Sequence, residues 1–152
     1  MHHLRKKARR LNAALYTLDR VYLENEKKAG VKNSEVCLVY ALDDGKPHSQ
    51  KQICIDWEIP SSTLNSIIKQ WEKLGYLELR PIPGKRRDMQ VVLTETGRAH
   101  AKPWLDSIYR AEEQAMSKVL EKYSDDFIDA MELFHKELEN AFSKQNTMKE
   151  EK

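Results

Sequence analysis

Ser49-Gln50-Lys51-Gln52-Ile53-Cys54-Ile55-Asp56-Trp57-Glu58-Ile59-Pro60-Ser61-Ser62-Thr63-Leu64-Asn65-Ser66-Ile67-Ile68-Lys69-Gln70-Trp71-Glu72-Lys73-Leu74-Gly75 is the stretch that decides how this chain folds. Ser49 and Gln52 match the S-x-x-Q capping box, in which hydroxyl and amide satisfy each other's backbone donors, so a short helix opens there. Ile59-Pro60 breaks it, because the residue before a proline is pushed out of the helical region. Ser61-Ser62-Thr63 begins a second helix with Leu64, Ile67, Ile68 and Trp71 as its inward stripe, and Gly75 ends it. Trp57 and Trp71 both read as core residues.

Working outward, Asn33 caps a helix through Val36, Leu38, Val39 and Leu42 that stops at Asp43-Asp44-Gly45. After Gly75 the apolar period switches from helix to strand. Tyr76-Leu77-Glu78-Leu79-Arg80 and Gln90-Val91-Val92-Leu93 form two short strands, joined by a Pro/Gly turn that carries Lys85, Arg86 and Arg87. Thr94-Glu95 starts a long helix, which Pro103 is expected to kink or divide.

The ends of the chain are helical. Leu4, Ala8, Leu11, Leu15, Leu18 and Tyr22 alternate spacings of four and three, a seam that its own helix cannot bury. From Trp104 to Phe142 a second apolar stripe runs through Ile108, Val119, Phe127 and Phe134, with a break where Ser124 caps a new helix ahead of Asp125-Asp126. The most economical way to bury both seams is against each other and against a second copy of the chain. The fold class is therefore mostly α with a small β-hairpin wing. Residues 1–32 form an N-terminal dimerisation helix, 33–98 a winged helix-turn-helix, 99–143 the C-terminal dimerisation helices, and 144–152 a frayed tail.

Helix, tight turn, second helix and basic-tipped hairpin is an arrangement suited to duplex DNA. The second helix would enter the major groove N-terminal end first, presenting Ser61, Ser62, Thr63, Asn65 and Ser66. An asparagine at position 65 can pair bidentately with an adenine edge, while Ser and Thr read less selectively. Lys69 lies one turn on and meets phosphate; Lys85, Arg86 and Arg87 reach a minor groove or flanking phosphates.

From about Leu4 to Phe142 the chain resembles the MarR (multiple antibiotic resistance regulator) family. The densest likeness runs through Lys51–Cys54, Trp57, Ile59-Pro60, Thr63–Lys69, Glu72–Leu77 and the wing ending Leu93-Thr94-Glu95-Thr96-Gly97. The resemblance implies a triangular homodimer with interlocked terminal helices, presenting two recognition helices and two wings to a pseudo-palindromic operator. It also implies a small-molecule effector bound between the dimerisation and DNA-binding regions. The family's Asp-x-Arg wing motif falls on Lys85-Arg86-Arg87. Arg87 matches the wing arginine, but Lys85 replaces the acid that orients it; Asp88 is an alternative orienting group. Trp71 takes a position where leucine is usual.

Composition narrows the function further. The chain has 152 residues, 33% charged and 40% hydrophobic, with a net charge of +2. That small sum hides nine Lys/Arg against three acids in residues 1–32 and seven against twelve in residues 104–152. A basic front and an acidic tail suit a polyanion partner. No apolar run is long enough for a membrane span, and Met1-His2-His3-Leu4-Arg5-Lys6-Lys7 leads into no signal-peptide core, so a cytoplasmic location is expected. Cys37 and Cys54 form no paired motif and read as ordinary buried thiols in a reducing compartment. The five histidines have no ligand spacing for zinc, and no phosphate loop or nucleophile motif speaks for an enzyme or a cofactor. The expected function is a dimeric, sequence-specific DNA-binding transcription regulator, a repressor released by a ligand. The competing reading is a winged-helix protein–protein module without sequence-specific DNA binding.

Overall fold

The computed structural model describes residues 2–85 and 89–150, with side chains through Asn146. Along the chain lie α1 (His2–Ala29), α2 (Asn33–Leu42), β1 (His48–Ser49), α3 (Gln50–Asp56), α4 (Ser61–Lys73), β2 (Leu77–Pro81), β3 (Met89–Leu93), α5 (Glu95–Leu120) and α6 (Asp126–Glu150). They divide into two compact units, Met1–Asp106 and Ser107–Lys152.

In the first unit α2, α3, α4 and the sheet close over one core. Leu38, Val39, Leu42, Ile53, Leu64 and Val91 are all essentially sealed from water. Burying each such side chain contributes about 1.5–3 kcal/mol. The sheet has the order β1-β3-β2 and is antiparallel throughout, pairing Leu77 with Leu93 and Pro81 with Met89. Strand β1 was not expected from the sequence. Two residues carry no readable period, and only their pairing with Val91 and Gln90 makes them a strand. Asp44 anchors the approach to it: one carboxylate oxygen lies 2.9 Å from the His48 ring and accepts from Lys46 N–H. The His48 hydrogen bond, aided by the Lys46 amide, holds the Asp44 carboxyl below its ordinary value.

Several local expectations change once packing is visible. The N-cap position of α2 falls on Lys32, not Asn33. Asn33 lies inside the first turn, where its amide N–H donates to the buried Glu26 carboxylate at 2.9 Å and its oxygen accepts from the Cys37 thiol at 3.6 Å. Trp57 is not core: it is 38% exposed and stacks on Tyr40 with ring centroids 5.6 Å apart. The helix ends at Asp56, and Glu58 then takes φ +49°, so the chain reverses and Ile59 fills the core in its place. Cys37 and Cys54 are half-buried, not buried.

The terminal helices also differ in detail. Helix α5 continues through Pro103 without dividing, and helical backbone in α6 runs to Glu150. No glycine or proline interrupts that last segment. Ser124 does not cap α6; its hydroxyl donates to Asp126 at 2.8 Å.

Glu58 provides a test of the turn between α3 and α4. A left-handed conformation costs an ordinary residue about 1–2 kcal/mol, which glycine escapes. Glu58→Gly is therefore expected to hold or raise stability, by up to about 1 kcal/mol after its unfolded-state entropy is offset. Urea titration decides the matter; a clear loss would mean that the Glu58 side chain itself supports the turn.

Candidate nucleic-acid interface

Helix α4 carries the candidate site because its two faces are sharply divided. Leu64, Ile67, Ile68 and Trp71 are buried at the i, i+3, i+4, i+7 spacing. Ser61, Ser62, Thr63, Asn65, Ser66, Lys69 and Gln70 are all exposed. The helix has Pro60 at its N-cap, with no capping side chain and no acid in its first turn. The hydroxyls of Ser61, Ser62 and Thr63 make no hydrogen bond among the described residues. These groups are not spent on the helix's own end, and the first-turn N–H groups face outward with the positive end of the helix dipole.

The other end of α4 is locked. Gly75, at φ +72°, donates to the Glu72 carbonyl at 3.0 Å, and Tyr76 N–H reaches the Trp71 carbonyl at 2.8 Å. This is a Schellman closure, and the accompanying apolar contact is Tyr76 packed on Trp71 with planes at 89°. The chain then passes directly into β2.

The wing turns at Ile82-Pro83-Gly84-Lys85. Lys85 N–H donates to the Ile82 carbonyl at 3.0 Å and Gly84 has φ +79°, as a type II turn with Pro and Gly at its centre requires. Lys85 is exposed beyond it. Arg86, Arg87 and the alternative orienting acid Asp88 lie outside the described residues.

Between α3 and the wing lies an open groove of about 580 Å³, with Gln50, Lys51, Gln52 and Ile55 on one wall and Lys85 and Met89 on the other. Lys51, on the α3 wall of this groove, is not among the site residues read from the sequence. The sequence signal for it is its place in the first helix of a helix-turn-helix arrangement.

The remaining candidates for chemistry are quiet. Burial pushes the Cys37 thiol above its ordinary value and the Glu26 carboxylate adds to the effect, so it is a poor nucleophile. Among the described residues no cluster of His, Cys, Asp or Glu can hold a metal ion. No helix there is long and apolar enough to cross a membrane.

Residues 29–88 match the model of the MarR family. That stretch of the chain is similar to the MarR family. The match covers α2, β1, α3, α4 and β2 and stops before β3. Solved structures extend the likeness of fold to nearly the whole chain. NMB1585, a MarR family regulator from Neisseria meningitidis, is similar with a TM-score of 0.77 at 20% identity, over 90% of this chain and 96% of that one. AbfR of Staphylococcus epidermidis gives 0.67 at 17% identity, covering 93% and 97%. Reduced AbfR bound to DNA gives 0.65 at 18% identity, covering 90% and 95%. No curated protein matches the chain.

Proposed function

We propose that the chain is a sequence-specific regulator of transcription that binds duplex DNA as a homodimer. The observation that carries this reading is the first turn of α4, whose exposed Ser61, Ser62, Thr63, Asn65 and Ser66 serve neither the helix cap nor the core. Such a turn offers short donors and acceptors to base edges, while Lys69, Lys85, Arg86 and Arg87, joined by Lys51, supply phosphate contacts on either side. A relative in the same fold, AbfR, has been solved on DNA.

The homodimer is supported by unpaid apolar surface. Helix α1 exposes Leu4 at 68% and Leu18 at 52%, and α6 exposes Leu133 at 60% and Phe142 at 57%. Apolar surface on this scale marks an interaction face. We take residues 1–32 and 99–143 as the dimerisation segments and 33–98 as the DNA-binding domain. Release of the operator by a small effector is supported by Trp104, which is 9% exposed with an indole N–H that has no partner among the described residues. A ligand with a hydrogen-bond acceptor would satisfy it. Trp104→Phe is expected to abolish the effect of acceptor-bearing small ligands on DNA binding while leaving the binding itself in place.

The test titrates the protein against the duplex upstream of its own gene and against a random duplex, across salt. Specific binding is expected to exceed random binding by about 10³ or more. Asn65→Ala is expected to cost about 1–3 kcal/mol, lost at one base position of the preferred sequence. An unchanged base preference in that variant would remove Asn65 from readout. Equal affinity for upstream, genome-selected and random DNA would favour the protein–protein module instead.

A further inference from the structure

We propose that Glu35, on α2, is the positioning residue of the recognition helix: its carboxylate ties the last turn of α4 to the first turn of α2 and thereby sets how Ser61–Ser66 is presented. The proposal rests on the DNA-binding reading above.

The two carboxylate oxygens of Glu35 have separate tasks. Oε2 accepts from the Lys32 backbone N–H at 2.9 Å, which is half of a capping box, since lysine has no acceptor to return. Oε1 accepts from the Trp71 indole N–H at 3.3 Å, across 36 positions of sequence. Trp71 is 2% exposed. Tyr76 and His100 both meet it edge-on, at 5.7 and 5.8 Å, and stack on each other at 4.2 Å. The end of α4 is thus gripped from α5 by rings, and from α2 by a hydrogen bond.

These two kinds of grip differ in what they specify. Ring packing tolerates sliding, whereas a donor aimed at one carboxylate oxygen restricts how far the helix that carries it can rotate or tilt. Ser61 stands about ten residues from Trp71, roughly 15 Å along the axis, so a tilt of about 5° shifts it by roughly 1 Å. A bidentate contact to a base edge does not survive that displacement. The anchor itself is fixed. Two residues before Glu35, Asn33 is bonded to the buried Glu26 carboxylate in the last turn of α1, so the start of α2 is held to α1.

The test compares Glu35→Ala, Glu35→Gln, Trp71→Phe and the Glu35→Ala/Trp71→Phe pair. Anisotropy titrations use the upstream and the random duplex, at a temperature where circular dichroism shows each variant folded. Amide and indole NMR spectra are recorded on the free proteins. Each single loss is expected to weaken binding to the preferred duplex about tenfold, the factor associated with one charge-assisted hydrogen bond, with less than about twofold change on random DNA. The pair should be no worse than the worse single, because both delete the same bond. Glu35→Gln, which keeps one neutral acceptor, should lie between wild type and Glu35→Ala. The Ser61–Ser66 amides and the Trp71 indole N–H should shift in Glu35→Ala.

A fall in melting temperature with an unchanged specific-to-random ratio would overturn the proposal, as would fully additive single losses. If Glu35→Ala does not fold, Trp71→Phe and Glu35→Gln carry the same comparison. Should the wild type bind both duplexes alike, the regulator reading fails on that DNA. The Ser61–Ser66 resonances then decide the positioning role alone, and stationary resonances reject it.

Discussion

Gly97→Ala is expected to destabilise the winged-helix unit by about 3 kcal/mol, the upper part of the range for forcing an extra group into a packed site. A Cβ built on Gly97 overlaps the Tyr76 carbonyl oxygen, lies 2.8 Å from that carbonyl's carbon and 2.9 Å from Leu93 Cδ1. A flexible side chain could yield, but the Tyr76 carbonyl cannot. It already accepts from Thr94 N–H at 3.0 Å, while the Thr94 hydroxyl donates to the neighbouring Gly75 carbonyl at 2.6 Å. The same hydroxyl accepts from Gly97 N–H at 3.0 Å, capping α5. The Leu93-Thr94-x-x-Gly97 run is therefore a knot between the end of α4 and the start of α5, and Gly97 is the residue that lets the two backbones touch. Urea denaturation followed by circular dichroism measures the loss. Thr96→Ala, at an exposed neighbour, should stay within about 0.5 kcal/mol. A Gly97→Ala cost below about 1 kcal/mol would show that α5 can draw away from Tyr76 without penalty.

Replacing Arg86 and Arg87 together by alanine is expected to weaken DNA binding of every sequence about 60-fold at 0.1 M salt, with the salt slope falling by about 1.8. Each wing arginine that meets a phosphate releases about 0.9 of a counterion, and at that salt concentration each release is worth roughly eightfold. The loss should be nearly equal for preferred and random duplexes, because phosphate contacts position the protein without reading bases. Titration of wild type and double variant between 50 and 300 mM salt separates the two quantities. A variant with an unaltered slope would place both guanidinium groups away from the backbone. A selective loss on the preferred duplex would make them readers of groove shape instead.

What could be read without a structure was whatever is settled within one turn of helix or one reverse turn. The Ser49 hydroxyl accepts from Gln52 N–H at 3.1 Å as the capping pattern implies. The α4 stripe is buried as spaced, Gly75 closes its helix in the left-handed region, and Pro83-Gly84 make the wing turn. The likeness to the MarR family rests on such short runs, as does the division of α4 into a buried and an exposed face. These features depend on backbone geometry three to five residues away, which the local sequence determines by itself.

The tertiary structure decided everything that depends on a distant neighbour. Trp57 carries the same apolar signal as Trp71, yet one stacks on Tyr40 at the surface and the other is sealed against Glu35, Tyr76 and His100. Asn33 carries the same capping signal as Ser49, but it lies inside α2, its amide N–H bonded to the buried Glu26 carboxylate of α1 and its oxygen to the Cys37 thiol. Strand β1 exists only because β3 lies beside it, and Gly97 is indispensable only because Tyr76 approaches it. Propensity and period rank what a residue can do. Which option is realised depends on packing partners that lie tens of positions away along the chain, and their burial and hydrogen bonds outweigh local preferences of a few tenths of a kcal/mol.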